Sequence, residues 1–452
     1  MLSRRQLLSL GAFSVVTAAC SSSSKTASTA TSGGPSSTGG VTTAPPGTSP
    51  STPSPTLAPT TAAPTTAAPT TAAPTTTIDL ATAAMAYTQS GPFPVGVTTL
   101  TLAKGNKVEV WYPAVAGTTG EVTYDVRDFV PDAIRKILTA DIPATYSFAG
   151  ARDPDAAGGA FPVVLFSHGF TGIRLQSTFL TAHLATWGMI VAAPDHPSRD
   201  LTNVLAGTAS GSTADSVDDL LKTLELIISE NTSAPSKLNG RVDTAHVIAV
   251  GHSAGGGTVV GAALDPRIAG YVSLASGVEV GRGSTPPTTT AETGPATSAV
   301  APSAAPTTGV PVPLPDKPSF FMAGALDAVV PAQTVTVPSF QEVPTPSRLW
   351  IIDGVGHNGF DDFCTFGNGT GIIGVADASG LSAVLDAQPQ LRRLGTDGCV
   401  APDVPVAQTF PIIRHAVTAW LRNEFGIDAA PIGLGAEVAS AYPAKVTIEQ
   451  RL

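Results

Sequence analysis

The chain has 452 residues, three cysteines, 13% charged residues and a formal net charge of −10. That length could hold two or three average domains, but the composition is uneven, so the folded mass falls short of what length alone suggests. The acidic balance makes nucleic acid and an anionic membrane surface poor partners, and neither is expected.

Residues 1–20 read as an export signal, with charged Arg4-Arg5, a short apolar stretch and then Thr17-Ala18-Ala19-Cys20. The apolar stretch is too short to span a bilayer core of about 30 Å as a helix. Arg4-Arg5 after Ser3 resembles a twin-arginine signal, which carries proteins that fold before export. Cys20 after two alanines resembles a lipobox, although Thr17 stands where that pattern usually has leucine. Lipidation of Cys20 would tether the exported chain to the outer face of the cytoplasmic membrane. Ordinary signal cleavage, with Cys20 left free, is the other reading.

Residues 21–77 are almost wholly Ser, Thr, Ala, Pro and Gly, ending in an Ala-Pro-Thr-Thr-Ala repeat. Such a segment cannot bury a core, and its prolines favour an extended, semi-rigid stalk. One domain, 78–452, is expected beyond it. Val108–Tyr112 reads as an early strand, and Phe161–Phe166 as a strand buried on both faces. Leu175, Phe179, Leu180, Leu184 and Trp187 recur at helical spacing up to Gly188. Met189–Ala193 is the next strand. Val217, Leu220, Leu221, Leu224, Ile227 and Ile228 line an amphipathic helix. Strands follow at Val247–Val250, Tyr271–Leu274, Ser319–Ala323 and Leu349–Ile352, and a helix at Ile412–Leu421 closes the fold. Residues 284–312 share the composition of the stalk and read as a disordered insertion in a surface loop, placed where a lid could act. Alternation of strand and helix predicts an α/β class with a doubly wound, mostly parallel sheet and helices on both faces.

Gly251-His252-Ser253-Ala254-Gly255 is a weak signal as a string, but it follows a buried strand directly and precedes a small-residue helix. In that setting a serine sits on a strained turn with its hydroxyl exposed, which makes Ser253 the candidate nucleophile. A serine hydroxyl needs a base, and the base needs an acid to orient it. His252 should point away from the nucleophile, His246 precedes the strand, and His183 and His415 lie in helices. His357 comes late in the chain, in a flexible-looking Gly354–Gly359 loop after a strand, and is the candidate base. Asp327, just beyond Ser319–Ala323, is the candidate acid. Asp353 and Asp361 are the alternatives, and both read as solvated loop acids. Ser167–Gly172 follows the first buried strand, so the backbone N–H groups of Phe170 and Ala254 are expected to face a developing oxyanion. His168 in that loop reads as structural. Cys364 and Cys399 form an even pair in an exported chain, so a disulfide is expected in preference to two separate buried thiols. No His, Cys and carboxylate set has metal-site spacing, so neither a metal nor another cofactor is expected.

The segments Phe161–Gly172, Leu184–His196, Gly251–Gly255 and Val355–Gly374 resemble the secreted platelet-activating-factor acetylhydrolases and the dienelactone-hydrolase-like esterases. The block His357–Phe363 followed by Gly371-Ile372-Ile373-Gly374 is the least generic part. This resemblance implies the α/β-hydrolase fold and a calcium-independent serine hydrolase of short-chain or oxidised acyl esters. It implies Ser253, Asp327 and His357 as triad, with Phe170 and Ala254 as oxyanion donors. The glycine-rich elbow and the Pro-Asp-His run are also similar to bacterial polyester hydrolases, which leaves lipid, short-chain and polymeric esters as substrates. Acyl transfer to an envelope alcohol would use the same residues. A cell-surface binding protein that no longer turns over is the non-enzymatic rival.

Overall fold

The computed structural model describes residues 80–278 and 313–452. The export signal with Cys20, the stalk at 21–77 and the insertion at 284–312 lie outside the described residues. Twelve strands are present among the latter: β1 (Val95–Thr101), β2 (Lys107–Pro113), β3 (Glu121–Asp125), β4 (Thr145–Ala149), β5 (Ala151–Arg152), β6 (Phe161–Ser167), β7 (Ile190–Pro194), β8 (Val242–His252), β9 (Gly270–Leu274), β10 (Ser319–Gly324), β11 (Ser347–Ile352) and β12 (Val446–Arg451). Ten of them form one sheet in the order β12-β11-β10-β9-β8-β6-β7-β2-β1-β5, and β3 and β4 pair as a separate hairpin.

From β11 to β7 the strands run parallel. Antiparallel β12 closes one side, and antiparallel β2 and β1 extend the other. The parallel strands read as continuous apolar runs because helices cover both faces, and successive side chains divide between two cores. Val164, Phe166, Ile248, Val250, Phe320 and Trp350 share one core with the helices α1 (Thr178–Thr186) and, from further along the chain, Val406–Glu424. Val163, Leu165, Val247, Ala249, Phe321 and Leu349 share the other with α2 (Thr213–Glu230) and α3 (Ala254–Ala262). The expected α/β-hydrolase architecture is therefore present. Gly188, with φ +86°, stops α1 in a left-handed turn, as its glycine suggests. Every residue of α1 is buried, so it carries no polar stripe.

Several features were not anticipated, among them the β3–β4 hairpin and the two-residue strand β5. β1, next to the β5 edge, and the edge strand β12 are partly exposed and mix polar with apolar residues, which blunts the hydrophobic signal. Another is a helical excursion between β11 and the last helix, made of α4 (Gly371–Ala378), α5 (Ser382–Asp386) and α6 (Pro389–Thr396). Neither α5 nor α6 buries a side chain fully. The closing helix, α7 (Val406–Glu424), runs longer than expected and carries Pro411 inside it. Among the described residues no helix is long and apolar enough to cross a membrane.

The sheet fixes where a site can form. After β6 the chain moves to β7 on one side and returns through β8 on the other, so strand order reverses between β6 and β8. The loops leaving the carboxyl ends of those two strands diverge there and open a crevice. The Phe170 loop leaves β6 and Ser253 leaves β8.

Candidate active site

Ser253 lies between the last residue of β8 and the first of α3, with φ 56° and ψ −124°. A non-glycine residue held there costs about 1–3 kcal/mol, which the surrounding packing must offset. The turn is tight enough to dictate its neighbours. A Cβ on Gly251 would fall onto the Gly255 carbonyl, and one on Gly255 onto the Ser167 carbonyl at the end of β6. Both contacts are backbone, so neither glycine can be replaced without moving a strand or helix. Ser253 N–H donates to Leu274 O at 2.9 Å, which ties the turn to β9.

β11 delivers the histidine. His357 opens a 3-10 turn, His357–Phe360, that is wholly buried, so the flexible loop expected at this position is instead part of the packed interior. Its Nε2 lies 2.9 Å from Ser253 Oγ, and its Nδ1 lies 2.8 Å from Asp327 Oδ2. The consistent protonation has Nδ1–H donating to the carboxylate and Nε2 accepting from the serine hydroxyl. Asp327 follows β10, and its Oδ1 accepts from Val329 N at 2.9 Å and Val330 N at 2.6 Å. These bonds aim the other oxygen at the imidazole. Burial opposes a charge on His357, but the Asp327 carboxylate, with Asp361 and Asp397 further off, outweighs it and raises the imidazole above its ordinary pKa.

The alternatives for the acid separate cleanly. Asp353 is exposed and makes no bond to His357. Asp361 also misses the His357 ring, yet it is not the solvated loop acid its position suggested. It is fully buried, accepting from Gln176 Nε2 and Phe363 N at 2.9 Å each. Burial pushes its carboxyl up to about 7. Its neighbour Asp362 is buried too and pushed well above the usual range. His252 points away from the serine hydroxyl, as expected, and its Nε2 lies 3.2 Å from the His357 carbonyl. His183 and His415 are buried in helices. His246 lies within β8 instead of before it, on the surface, paired with Asp243.

Gly169 passes close over Ser253, since a Cβ there would lie 3.1 Å from Ser253 Cβ. Phe170 and Ala254 therefore flank Ser253 from two sides. Their N–H groups have no acceptor among the described residues, whereas Gly169 N–H and Thr171 N–H on either side of Phe170 are both engaged. His168 is structural: its Nδ1–H donates to Gly169 O, and its Nε2 accepts from His196 N. Arg199 supports the same loop, donating to His168 O from Nε at 3.2 Å and from an NH2 nitrogen at 2.8 Å. It also reaches Thr258 on α3.

A second Ser-His-Asp set lies behind this loop. His196 Nε2 is 2.9 Å from Ser167 Oγ, and His196 Nδ1 is 3.1 Å from Asp219 Oδ2. All three are buried, and Arg199 donates to Ser167 Oγ at 2.9 Å. Burial, with Arg199 next, pushes His196 well below its ordinary pKa, so the ring is neutral. Sealed and saturated with bonds, this set can only hold the loop.

Asp397 is a site residue that the sequence reading missed. Its Oδ1 accepts from His357 N at 2.6 Å, and its Oδ2 from Ala328 N at 3.1 Å, so one carboxylate clamps the histidine and aspartate loops together. Its one sequence signal is proximity to Cys399. Cys364 and Cys399 form the expected disulfide, with Cα atoms 5.0 Å apart. Among the described residues no group of three or more His, Cys, Asp or Glu could hold a metal ion.

The sheet order and the strand–turn–helix setting of Ser253 define the class of architecture: the chain has the α/β-hydrolase fold. Residues 151–219 match the family described as platelet-activating factor acetylhydrolase, isoform II, a stretch that carries β6, the Phe170 loop and Arg199 and stops short of Ser253. No curated protein matches the chain. Among solved structures, a ferulic acid esterase from Streptomyces cinnamoneus is similar with a TM-score of 0.52 and 20% identity, over 79% of this chain and 96% of that one. At that identity the likeness is one of fold. Both findings agree with the resemblance read from the sequence.

Proposed function

We propose that the chain is a serine ester hydrolase acting through an acyl-enzyme, with Ser253 as nucleophile, His357 as base and Asp327 as the acid that orients it. The observation that carries this reading is the unbroken chain from Ser253 Oγ through His357 to Asp327, with links of 2.9 and 2.8 Å, set on a strained elbow. His357 takes the serine proton as Oγ attacks the ester carbonyl, and Asp327 stabilises the imidazolium that results. The unpaired N–H groups of Phe170 and Ala254 receive the oxyanion, each worth on the order of 3–4 kcal/mol in the transition state. His357 then protonates the departing alcohol, and a water deprotonated by the same imidazole cleaves the acyl-enzyme.

The family match at 151–219 supports lipid or short-chain acyl esters as the substrate class. The signal at residues 1–20 supports export, with Cys20 as a lipid anchor, and the disulfide suits an oxidising compartment. Ser253→Ala should reduce turnover of a short p-nitrophenyl ester below roughly one-thousandth of wild type. Activity persisting above that level with the protein folded would refute the assignment.

A further inference from the structure

Gln176 stands just ahead of α1 and is 2% exposed. It belongs to none of the motifs that mark the site, and it touches neither Ser253, His357 nor Asp327. Its amide nevertheless bonds to three of the four segments that carry the proposed chemistry, all but the Asp327 loop. Oε1 accepts from Gly169 N at 2.7 Å, on the loop that presents Phe170. Nε2 lies 2.9 Å from His252 Nδ1, beside the nucleophile, and 2.9 Å from Asp361 Oδ2, on the turn that begins with His357. Its backbone O accepts from Asp362 N at 2.8 Å.

Only one orientation of that amide satisfies its neighbours. Gly169 N–H requires an acceptor and the Asp361 carboxylate a donor, so Oε1 faces the loop and NH2 faces the histidine and the acid. His252 Nδ1 then accepts, which leaves its proton on Nε2. Burial, and His357 next, hold His252 well below its ordinary pKa, so it stays neutral and keeps that tautomer. Nε2–H is thus fixed as the donor to the His357 carbonyl. Gly172 provides the space, because a Cβ there would come within 2.5 Å of Gln176 Oε1 and 2.8 Å of His168 Nδ1. Water cannot replace a lost partner here, since Gln176, His252 and Asp361 are all buried.

We propose that Gln176 is the positioning residue of this site: its single buried amide sets the oxyanion loop, the elbow and the base loop at one mutual distance. This rests on the ester-hydrolase reading above. It adds a residue that acts through the placement of others and touches no reacting atom.

The charged and titratable groups around His357 define a test that a purely structural role would not pass. They are Asp327 from the β10 loop, Asp361 and Asp362 from its own turn, Asp397 from the excursion, His252 from β8, and Arg414 with Tyr146 beyond Asp362. The bond from Gln176 favours the ionised form of Asp361, and the Asp361 charge favours the protonated form of His357. Removing the amide therefore weakens the support for His357 as well as the geometry.

Gln176→Met keeps the volume without any polar atom. Gln176→Glu keeps the shape and an acceptor for Gly169 but loses the paired donors. Reactive serines are counted with a fluorophosphonate, using Ser253→Ala as the blank, and turnover of a p-nitrophenyl ester is expressed per labelled serine across pH. In both variants kcat per labelled serine should fall about 10–100-fold with KM within about threefold. In Gln176→Met the acid limb of kcat/KM should also move to lower pH. A kcat per labelled serine within about twofold of wild type in Gln176→Glu, or an acid limb that does not move in Gln176→Met, overturns the proposal. If wild type is not labelled, or Ser253→Ala is labelled equally, it is the hydrolase reading that fails instead.

Discussion

Replacing both Cys364 and Cys399 with serine probes how the excursion between β11 and α7 governs the site. The bridge spans a separation of 35 residues, so on the chain-entropy model it stabilises the fold by about 4 kcal/mol. For a domain of this size that corresponds to a fall in Tm of roughly 6 °C. The local effect is the more informative one. With α5 and α6 burying no side chain fully, the excursion depends on the disulfide, on Asn358 Nδ2 donating to Leu394 O and Asp397 O, and on the Asp397 clamp. Releasing the bridge lets Asp397 retreat from His357 N and Ala328 N. A buried bond to a charged group is worth about 1.5–3 kcal/mol, so kcat should fall roughly 10–100-fold with little change in KM. Thermal unfolding and p-nitrophenyl ester turnover at 25 °C read the two effects separately. An unchanged Tm with unchanged kcat would show that the excursion neither braces the fold nor holds the histidine loop.

Gly255→Ala should abolish turnover and lower Tm, because the new Cβ would overlap the Ser167 carbonyl and lie 2.7 Å from His168 O, both rigid backbone. Wild-type activity in that variant would mean the elbow is looser than its geometry. The base must be neutral to take a proton, and His357 is raised above its ordinary value of about 6.5, so the acid limb of kcat/KM should lie above that pH. Activity is then lost as pH falls through the limb. Asp397→Asn removes one of the carboxylates that raise His357, and should move the limb to lower pH in a pH–rate profile; a limb that moves upward contradicts the assignment.

What the sequence revealed of this site follows from how local each signal is. Ser253 was readable because a buried strand, two obligatory glycines and a small-residue helix are contiguous. His357 and Asp327 were readable because the fold places a base and an acid after particular strands, and few residues of the right type stand there. Asp361 was misread because consecutive acids in a glycine-rich loop look solvated, while the groups that bury this pair, Gln176 and the N–H of Phe179, are more than 180 residues away in the chain. Gln176 left no trace at all, since an amide belongs to no catalytic pattern and its meaning lies in three distant partners. β12 was invisible for another reason: Val446–Arg451 has only two apolar residues, Val446 and Ile448, among Thr, Glu, Gln and Arg, and only its pairing with β11 identifies it.

Two serine–histidine–aspartate sets in one chain, bonded in the same order with nearly the same spacing, differ in how the serine hydroxyl is held. Ser167 has its hydroxyl committed on both sides, to His196 and to Arg199. The Ser253 hydroxyl has one bond, to His357, on a strained turn, with the N–H groups of Phe170 and Ala254 unpaired among the described residues. The same three residue types thus stand in two settings: Ser253 on a strained turn with its hydroxyl held from one side, and Ser167 in a regular strand with its hydroxyl held from two, bracing the loop that follows.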